Sequence, residues 1–339
     1  MKRFAIAALV LLLLKVLLAT GLVAAFWAPD RTVVELAPRW AQPPSTFLAI
    51  DGLQVHVRDE GPRDDATPIV LLHGTSASLH TWDGWTQRLA RERRVVRVDL
   101  PGFGLTGPRP DADYHVARYV EFVTALLDTL GIEHCVLAGN SFGGWIAWET
   151  ALAHPTRVDA LVLVDAAGYP LESQSVPIGF RIARVPLLSG LMRSVLPRSI
   201  IESSLRNTYG DPSRVTPALV DRYYELALRE GNRTALAQRF AAGRSAAEPG
   251  RIRELQLPTL ILWGGKDRLI PPRYAEQFHR DIAGSQLVIF PELGHVPQEE
   301  DPAATVAAVY AFLQSTRSSV AASTSPRAPN SAGRITSGG

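Results

Sequence analysis

The chain has 339 residues, 46% hydrophobic and 20% charged, an ordinary globular composition long enough for one large domain with an insertion. A formal net charge of +2 leaves no electrostatic footprint for a nucleic-acid partner. The single cysteine, Cys135, lies inside an apolar run, cannot close an internal disulfide and reads as a buried hydrophobe.

In chain order, Lys2 and Arg3 precede an apolar run from Phe4 to Trp27 broken only by Lys15. About 20 apolar residues suffice to span a bilayer as a helix, so residues 4–27 predict membrane association. Lys15 near mid-span would cost about 2.5–3.5 kcal/mol, which the many leucines can offset. A cleaved signal is the rival, with Phe4–Leu14 as its apolar core and Ala19-Thr20-Gly21 as a poor cleavage site. An amphipathic helix on a soluble cytoplasmic body is the third reading. The leading basic flank puts the body on the non-cytoplasmic side, anchored or exported. Residues 1–28 are thus an anchor or signal. Residues 29–45, with Pro29, Pro38, Pro43 and Pro44, read as a spacer.

The stretch "TFLAIDGLQVHVRD" is two strand-like runs around Asp51-Gly52, the signal of a type I′ hairpin. Then follow "PIVLLHG", "RRVVRVDLPG", "HCVLAGNS", "ALVLVDAAG", "TLILWGGKD" and "QLVIFPELGH". Each is short, rich in Val, Ile and Leu and not strictly alternating, as in parallel strands buried on both faces. Helical patterns separate most of them. The clearest runs from Val116 to Leu130, with Gly131 as its stop. The expected fold is α/β: a mostly parallel sheet with helices on both faces, formed by residues 46–167 and 251–314. Residues 168–250 hold helical patterns only and predict a cap over the carboxyl edge of the sheet. Residues 315–339 are Ser/Ala/Gly/Pro-rich and predict a disordered tail.

His73, Asp99, Ser141, Asp165, Asp267 and His295 each follow an apolar run, which places them along one sheet edge. Ser141 lies in Gly139-Asn140-Ser141-Phe142-Gly143, a G-x-S-x-G turn between a buried strand and a helix. A serine hydroxyl needs a base to act as a nucleophile at neutral pH. His295 has the right ordinary pKa, and Asp267 can fix its tautomer and stabilise its cation. Asp165 is the alternative acid, one strand earlier.

The motifs "LLHGTSAS", "DLPGFGLT", "GNSFGG", "WGGKDRLIP" and "ELGHVPQEEDP", in this order, resemble the α/β-hydrolase fold superfamily from about Thr46 to Gln314. The resemblance implies a Ser141–Asp267–His295 triad, with the amides of Thr75 and Phe142 as the oxyanion hole. It implies that His73 props the loop beside the substrate and that Asp99 frames the site in a turn. A serine at the nucleophile position departs from the aspartate of dehalogenases and epoxide hydrolases of this fold. The default reaction is therefore ester hydrolysis through an acyl-serine, on a small-molecule ester or lipid. "HGTSASLHTWDGW" also resembles bacterial lipases and esterases with N-terminal hydrophobic segments.

A rival is carbon–carbon bond hydrolysis of meta-cleavage diketones, whose enzymes share "GNSFGG"-like elbows. They carry a tryptophan where Trp263 stands and a cap arginine to which Arg222 corresponds, although Arg222 also fits a solvated helix face. An inactive binding scaffold is the non-enzymatic reading, and acyl transfer to an alcohol is a variant of the first. No metal or cofactor is implied: the sequence has no phosphate-binding loop, no spaced cysteines and no His-x-x-x-His. Between Ser173 and Ile201, Arg181, Arg184, Arg193 and Arg198 punctuate an apolar series without any Asp or Glu. Such a helix can lie on an anionic membrane or pack as a lid on its own domain.

Overall fold

The computed structural model describes residues 2–243 and 248–324. The apolar runs become β1 (Thr46–Ile50), β2 (Leu53–Glu60), β3 (Ile69–Leu72), β4 (Val95–Val98), β5 (Cys135–Asn140), β6 (Val158–Val164), β7 (Thr259–Gly264) and β8 (Gln286–Phe290). They form one eight-stranded sheet in the order β1-β2-β4-β3-β5-β6-β7-β8. β2 pairs antiparallel with β1 and β4, and the remaining pairs are parallel. The first turn is left-handed at Asp51 (φ 49°) and Gly52 (φ 76°), as a two-residue hairpin of this hand requires.

The helices are α1 (Lys2–Ala25), α2 (Val33–Trp40), α3 (Asp83–Leu89), α4 (Val116–Thr129) and α5 (Phe142–Ala153), followed by five in the cap. Those are α6 (Ile178–Ala183), α7 (Pro186–Met192), α8 (Arg198–Thr208), α9 (Pro217–Ala227) and α10 (Asn232–Ala241). The chain closes with α11 (Arg273–Asp281), α12 (Pro297–Glu300) and α13 (Pro302–Thr324). Side chains alternate across the sheet with period two. Val70, Leu72 and Leu137 meet Tyr119 and Phe122 of α4 and Trp148 of α5 on one face. Ile69, Leu71 and Val136 meet Trp85 of α3 and Phe312 of α13 on the other. Both faces are covered, which is why the central strands read as continuous apolar runs. Cys135 is buried at the start of β5, and burial pushes its thiol up to about 12.

Three terminal features differ from the expectation. The spacer contains helix α2. Thr32 Oγ1 accepts from the Glu35 amide while the Glu35 carboxylate accepts from the Thr32 amide, a capping box that the prolines obscured. Leu36 then buries itself against Leu105 and Leu226. At the other end α13 continues to Thr324, past the expected boundary at Ser315. No Gly or Pro interrupts "STRSSVAAST", and Pro326 is the first breaker. The rest of the expected tail, 325–339, lies outside the described residues, as do 244–247 of the cap. Finally, the apolar N-terminal run forms α1, with Leu9, Leu11–Leu14 and Leu17 exposed. Among the described residues no helix is long and apolar enough to cross a membrane, so the expected spanning anchor over residues 4–27 is not supported.

One buried carboxylate organises the loops beside the sheet edge. Asp99, fully buried after β4, accepts from His56 Nδ1 (2.7 Å), the Leu79 amide (2.7 Å) and the Leu105 amide (2.7 Å). Burial opposes its charge, but the hydrogen-bonded His56 holds its pKa below the usual carboxylate range. Gly104 makes room for it: a Cβ there would stand 2.1 Å from the Asp99 carboxyl, and φ is +52°. Gly104→Ala should therefore cost roughly 3 kcal/mol through strain and a displaced buried hydrogen-bond hub, measurable as a lower urea midpoint.

Candidate active site

The site begins with the turn from β5 into α5. Ser141 has φ 54° and ψ −113°, a conformation that a non-glycine residue holds only when its surroundings enforce it. The enforcement is close approach. A Cβ on Gly139 would lie 2.2 Å from Gly143 O, and one on Gly143 would lie 2.3 Å from Leu72 O. Side chains are excluded at both places, and the strand swings directly into the helix. Phe142 opens α5, so its amide has no acceptor within the helix.

His295 lies in the loop between β8 and α12. Its Nδ1 donates to Asp267 Oδ2 at 2.6 Å. Asp267, buried after β7, also accepts from the amides of Leu269 (2.8 Å) and Ile270 (2.9 Å) through Oδ1. Asp165, the alternative acid, stands close by but does not take the imidazole. Its Oδ1 accepts from the Gly264 amide at 3.0 Å, its backbone is left-handed (φ 45°) and its Oδ2 has no hydrogen-bond partner among the described residues. Burial, and then the neighbouring Asp267 charge, push its pKa well above the ordinary carboxylate value. Donor atoms of Asp165, Asp267 and His295 lie within 4.8 Å of one another, the spacing of a potential metal site. Asp267 has already engaged both oxygens, Oδ1 with two amides and Oδ2 with His295. The Asp267–His295 pair thus fits a carboxylate-oriented imidazole better than metal ligation.

Ser141 and His295 line one cavity of about 130 Å³ with Gly74 and Thr75 on its rim. Its other walls come largely from the cap and are mostly apolar, among them Phe180, Met192, Leu196, Ile201 and Leu205. Thr75 belongs to a tight loop in which Ser76 is left-handed (φ 63°). Gly74 presses against the elbow, since a Cβ there would meet Asn140 Oδ1 at 2.9 Å.

The three residues expected beside the substrate lie elsewhere. His73 is fully buried behind its loop: Nδ1 donates to Gly74 O (2.8 Å) and Nε2 accepts from the Leu100 amide (2.9 Å). Burial lowers its pKa, which suits a neutral prop. Trp263 is fully buried, donating to Ile270 O at 2.9 Å. Neither lines the cavity. Arg222 is neither solvated nor turned to the cavity; its Nη2 pairs with Glu299 at 2.6 Å, and both side chains are largely buried. The partner stands 77 positions away, so no local pattern announces it.

Other residues emerge only in three dimensions. Asn140 Nδ2 donates to Val164 O (3.1 Å) and His295 O (3.0 Å), tying the elbow to the histidine loop. Glu300 accepts from the amides of Gly294 (2.9 Å), Gly210 (3.0 Å) and Asp211 (2.9 Å), clamping that loop to the cap. Arg239 of α10 stacks its guanidinium 3.8 Å from the Phe142 ring centroid. The adjacency of Asn140 to the nucleophile was a readable signal; Glu300 and Arg239 gave none.

Residues 67–302 match the family model described as the alpha/beta hydrolase fold. An uncharacterized protein of Mycobacterium tuberculosis is 32% identical over 302 residues, covering 84% of each chain. A 2-hydroxymuconate semialdehyde hydrolase of a Pseudomonas species is 31% identical over 274 residues, 77% of this chain and 91% of the relative. Among solved structures, a membrane phospholipase A described as a bacterial virulence factor superposes with a TM-score of 0.70 at 26% identity. It covers 94% of this chain and 99% of its own.

The raised pKa of Asp165 fixes the sign of a stability effect. Its contribution is complete below the unfolded value, about 3.9, and is lost as pH rises towards the folded value. Asp165→Asn removes this titration. The stability difference between variant and wild type should move in favour of the variant as pH rises above about 4, by up to roughly 1.4 kcal/mol per pH unit within the window. Thermal melts at pH 4–8 that differ by a constant amount would mean that Asp165 keeps an ordinary pKa.

Proposed function

The chain belongs to the α/β-hydrolase fold family, and from that premise we propose that it is a serine hydrolase of carboxylic esters acting through an acyl-serine. One observation carries the reading: a serine forced into left-handed backbone opens into the same cavity as an imidazole whose far nitrogen is held by a buried carboxylate. In this mechanism Ser141 Oγ attacks the ester carbonyl while His295 Nε2 takes its proton. Asp267 holds the tautomer and stabilises the imidazolium. The amides of Thr75 and Phe142 receive the developing oxyanion, each typically worth about 2.7–4 kcal/mol in such sites. The tetrahedral species collapses, and His295 returns the proton to the leaving alcohol. Water, deprotonated by His295, then releases the acid.

The apolar cap wall supports an acyl chain as the group it holds. Work beside a lipid surface has separate support. Trp27, two residues beyond α1, bridges to Val195 of the cap, and Leu187, Leu188 and Leu191 of α7 stand exposed nearby in sequence. The similarity to a membrane phospholipase A points the same way. In this reading the catalytic body works on the non-cytoplasmic side of the membrane.

The similarity to a 2-hydroxymuconate semialdehyde hydrolase favours carbon–carbon hydrolysis as the second reading. Against it, Arg222, the residue that would clamp such a substrate, is already paired with Glu299.

A p-nitrophenyl ester series of rising chain length, assayed beside a ring-cleavage dienoate, tests the choice. Ester turnover should dominate and disappear in Ser141→Ala. Asp267→Asn should lower kcat by about 10⁴, whereas Asp165→Asn should stay within about tenfold of wild type. Dienoate cleavage with weak ester turnover would make the second reading the function. The reverse ranking of the two aspartate variants would reassign the acid.

A further inference from the structure

Arg233 is the second residue of α10 and is 7% exposed. Its Nη2 donates to Asp30 Oδ1 at 2.5 Å. Its Nε and Nη1 are buried with no hydrogen-bond partner among the described residues. A guanidinium stays charged in any protein, and donors left dry in an interior are costly. Such groups persist where something else satisfies them. The surroundings say what that is. Arg233 lines the cavity that holds Ser141 and His295, and also a smaller one of about 40 Å³ beside Ser76 and Ala77. The walls of the smaller cavity are otherwise mostly apolar, with Phe103, Leu226 and Leu236 among them. Asn232, the preceding residue, also lines it, with an Oδ1 that accepts no hydrogen bond among the described residues. Asp30 answers the charge incompletely, because its side chain is 38% exposed and shares its other oxygen with the Gly231 amide.

We propose that Arg233 forms an anion subsite of the active-site cleft, so that the preferred ester carries a carboxylate or phosphate group at a distance from the scissile bond. The proposal rests on the acyl-serine reading and adds what the substrate must carry. Planar, multidentate recognition of carboxylate or phosphate is what a guanidinium does best in an apolar wall. The cap thus supplies apolar contacts for a chain and one fixed charge for its polar end. Asp30 holds the guanidinium in place while the site is empty.

The test uses Ser141→Ala as a binding background, so that it does not depend on turnover. Calorimetry compares two pairs of probes. Monomethyl adipate against dimethyl adipate reads a carboxylate on the acyl side; 1-butyrylglycerol 3-phosphate against 1-butyrylglycerol reads a headgroup phosphate. At least one anionic member should bind about tenfold more tightly than its neutral partner, and adding Arg233→Gln should reduce that ratio to within about twofold. The pair that shows the preference identifies the source of the charge. Should the Arg233 variant fail to fold, Asp30→Asn decides: it frees the guanidinium, and the anionic probe should bind more tightly. Equal or weaker binding of both anionic probes, a preference that survives Arg233→Gln, or no change with Asp30→Asn would overturn the subsite. A wild-type enzyme that turns over no ester, while the background variant still selects the anion, would overturn the acyl-serine reading alone.

Discussion

The elbow at Ser141 is the constraint on which the site depends. Three backbone segments meet there without room for a Cβ: the end of β5, the start of α5 and the end of β3. The strain of a left-handed serine costs about 1–3 kcal/mol. The helix that follows buries Trp145 and Trp148, and each large side chain taken from water contributes about as much. The core therefore holds the turn, and the turn holds the hydroxyl. Asn140 extends this outward by fixing the peptide oxygen of His295, so Ser141 and His295 are placed by neighbouring residues of one turn.

Around the elbow the joints are polar. Glu299 receives Tyr209 (2.7 Å) and Arg222 (2.6 Å) from the cap, and Glu300 receives the amides of Gly210 and Asp211. Buried charges of this kind are costly to leave unpaired and demand one geometry. They seat the cap in a single register over the sheet edge. Arg222, Glu299 and Glu300 do not line the cavity, whose wall stays mostly apolar.

The sheet and the order of its strands were legible because burial on both faces leaves a local mark, the short Val/Ile/Leu run. The elbow and the two residues joined at 2.6 Å, Asp267 and His295, were legible for a similar reason: each follows such a run. Helix α2 had a local mark too, the Thr32–Glu35 capping box, outweighed by four prolines. The pairing of Arg222 with Glu299 had none. The same holds for Arg233, whose partner Asp30 is 203 positions away, and for the cap contact of Arg239 with Phe142. A charged residue on an amphipathic helix looks solvated in sequence. Only the fold decides which of them are walled in.

The attachment of the histidine loop limits how the cleft can be entered. The His295 amide donates to Thr208 O at 2.7 Å, and Thr208 ends a cap helix, α8. Glu300 binds the Gly294 amide and the two residues beyond Tyr209 with one carboxylate. Lifting α8 would strip that backbone support from His295. Opening the cavity at α8 and keeping His295 in its present place are therefore mutually exclusive, an interlock built from main-chain hydrogen bonds. Helix α6 is tied to the same element, since the Gly179 amide donates to Ser204 Oγ of α8 at 3.1 Å, so the two would have to move together.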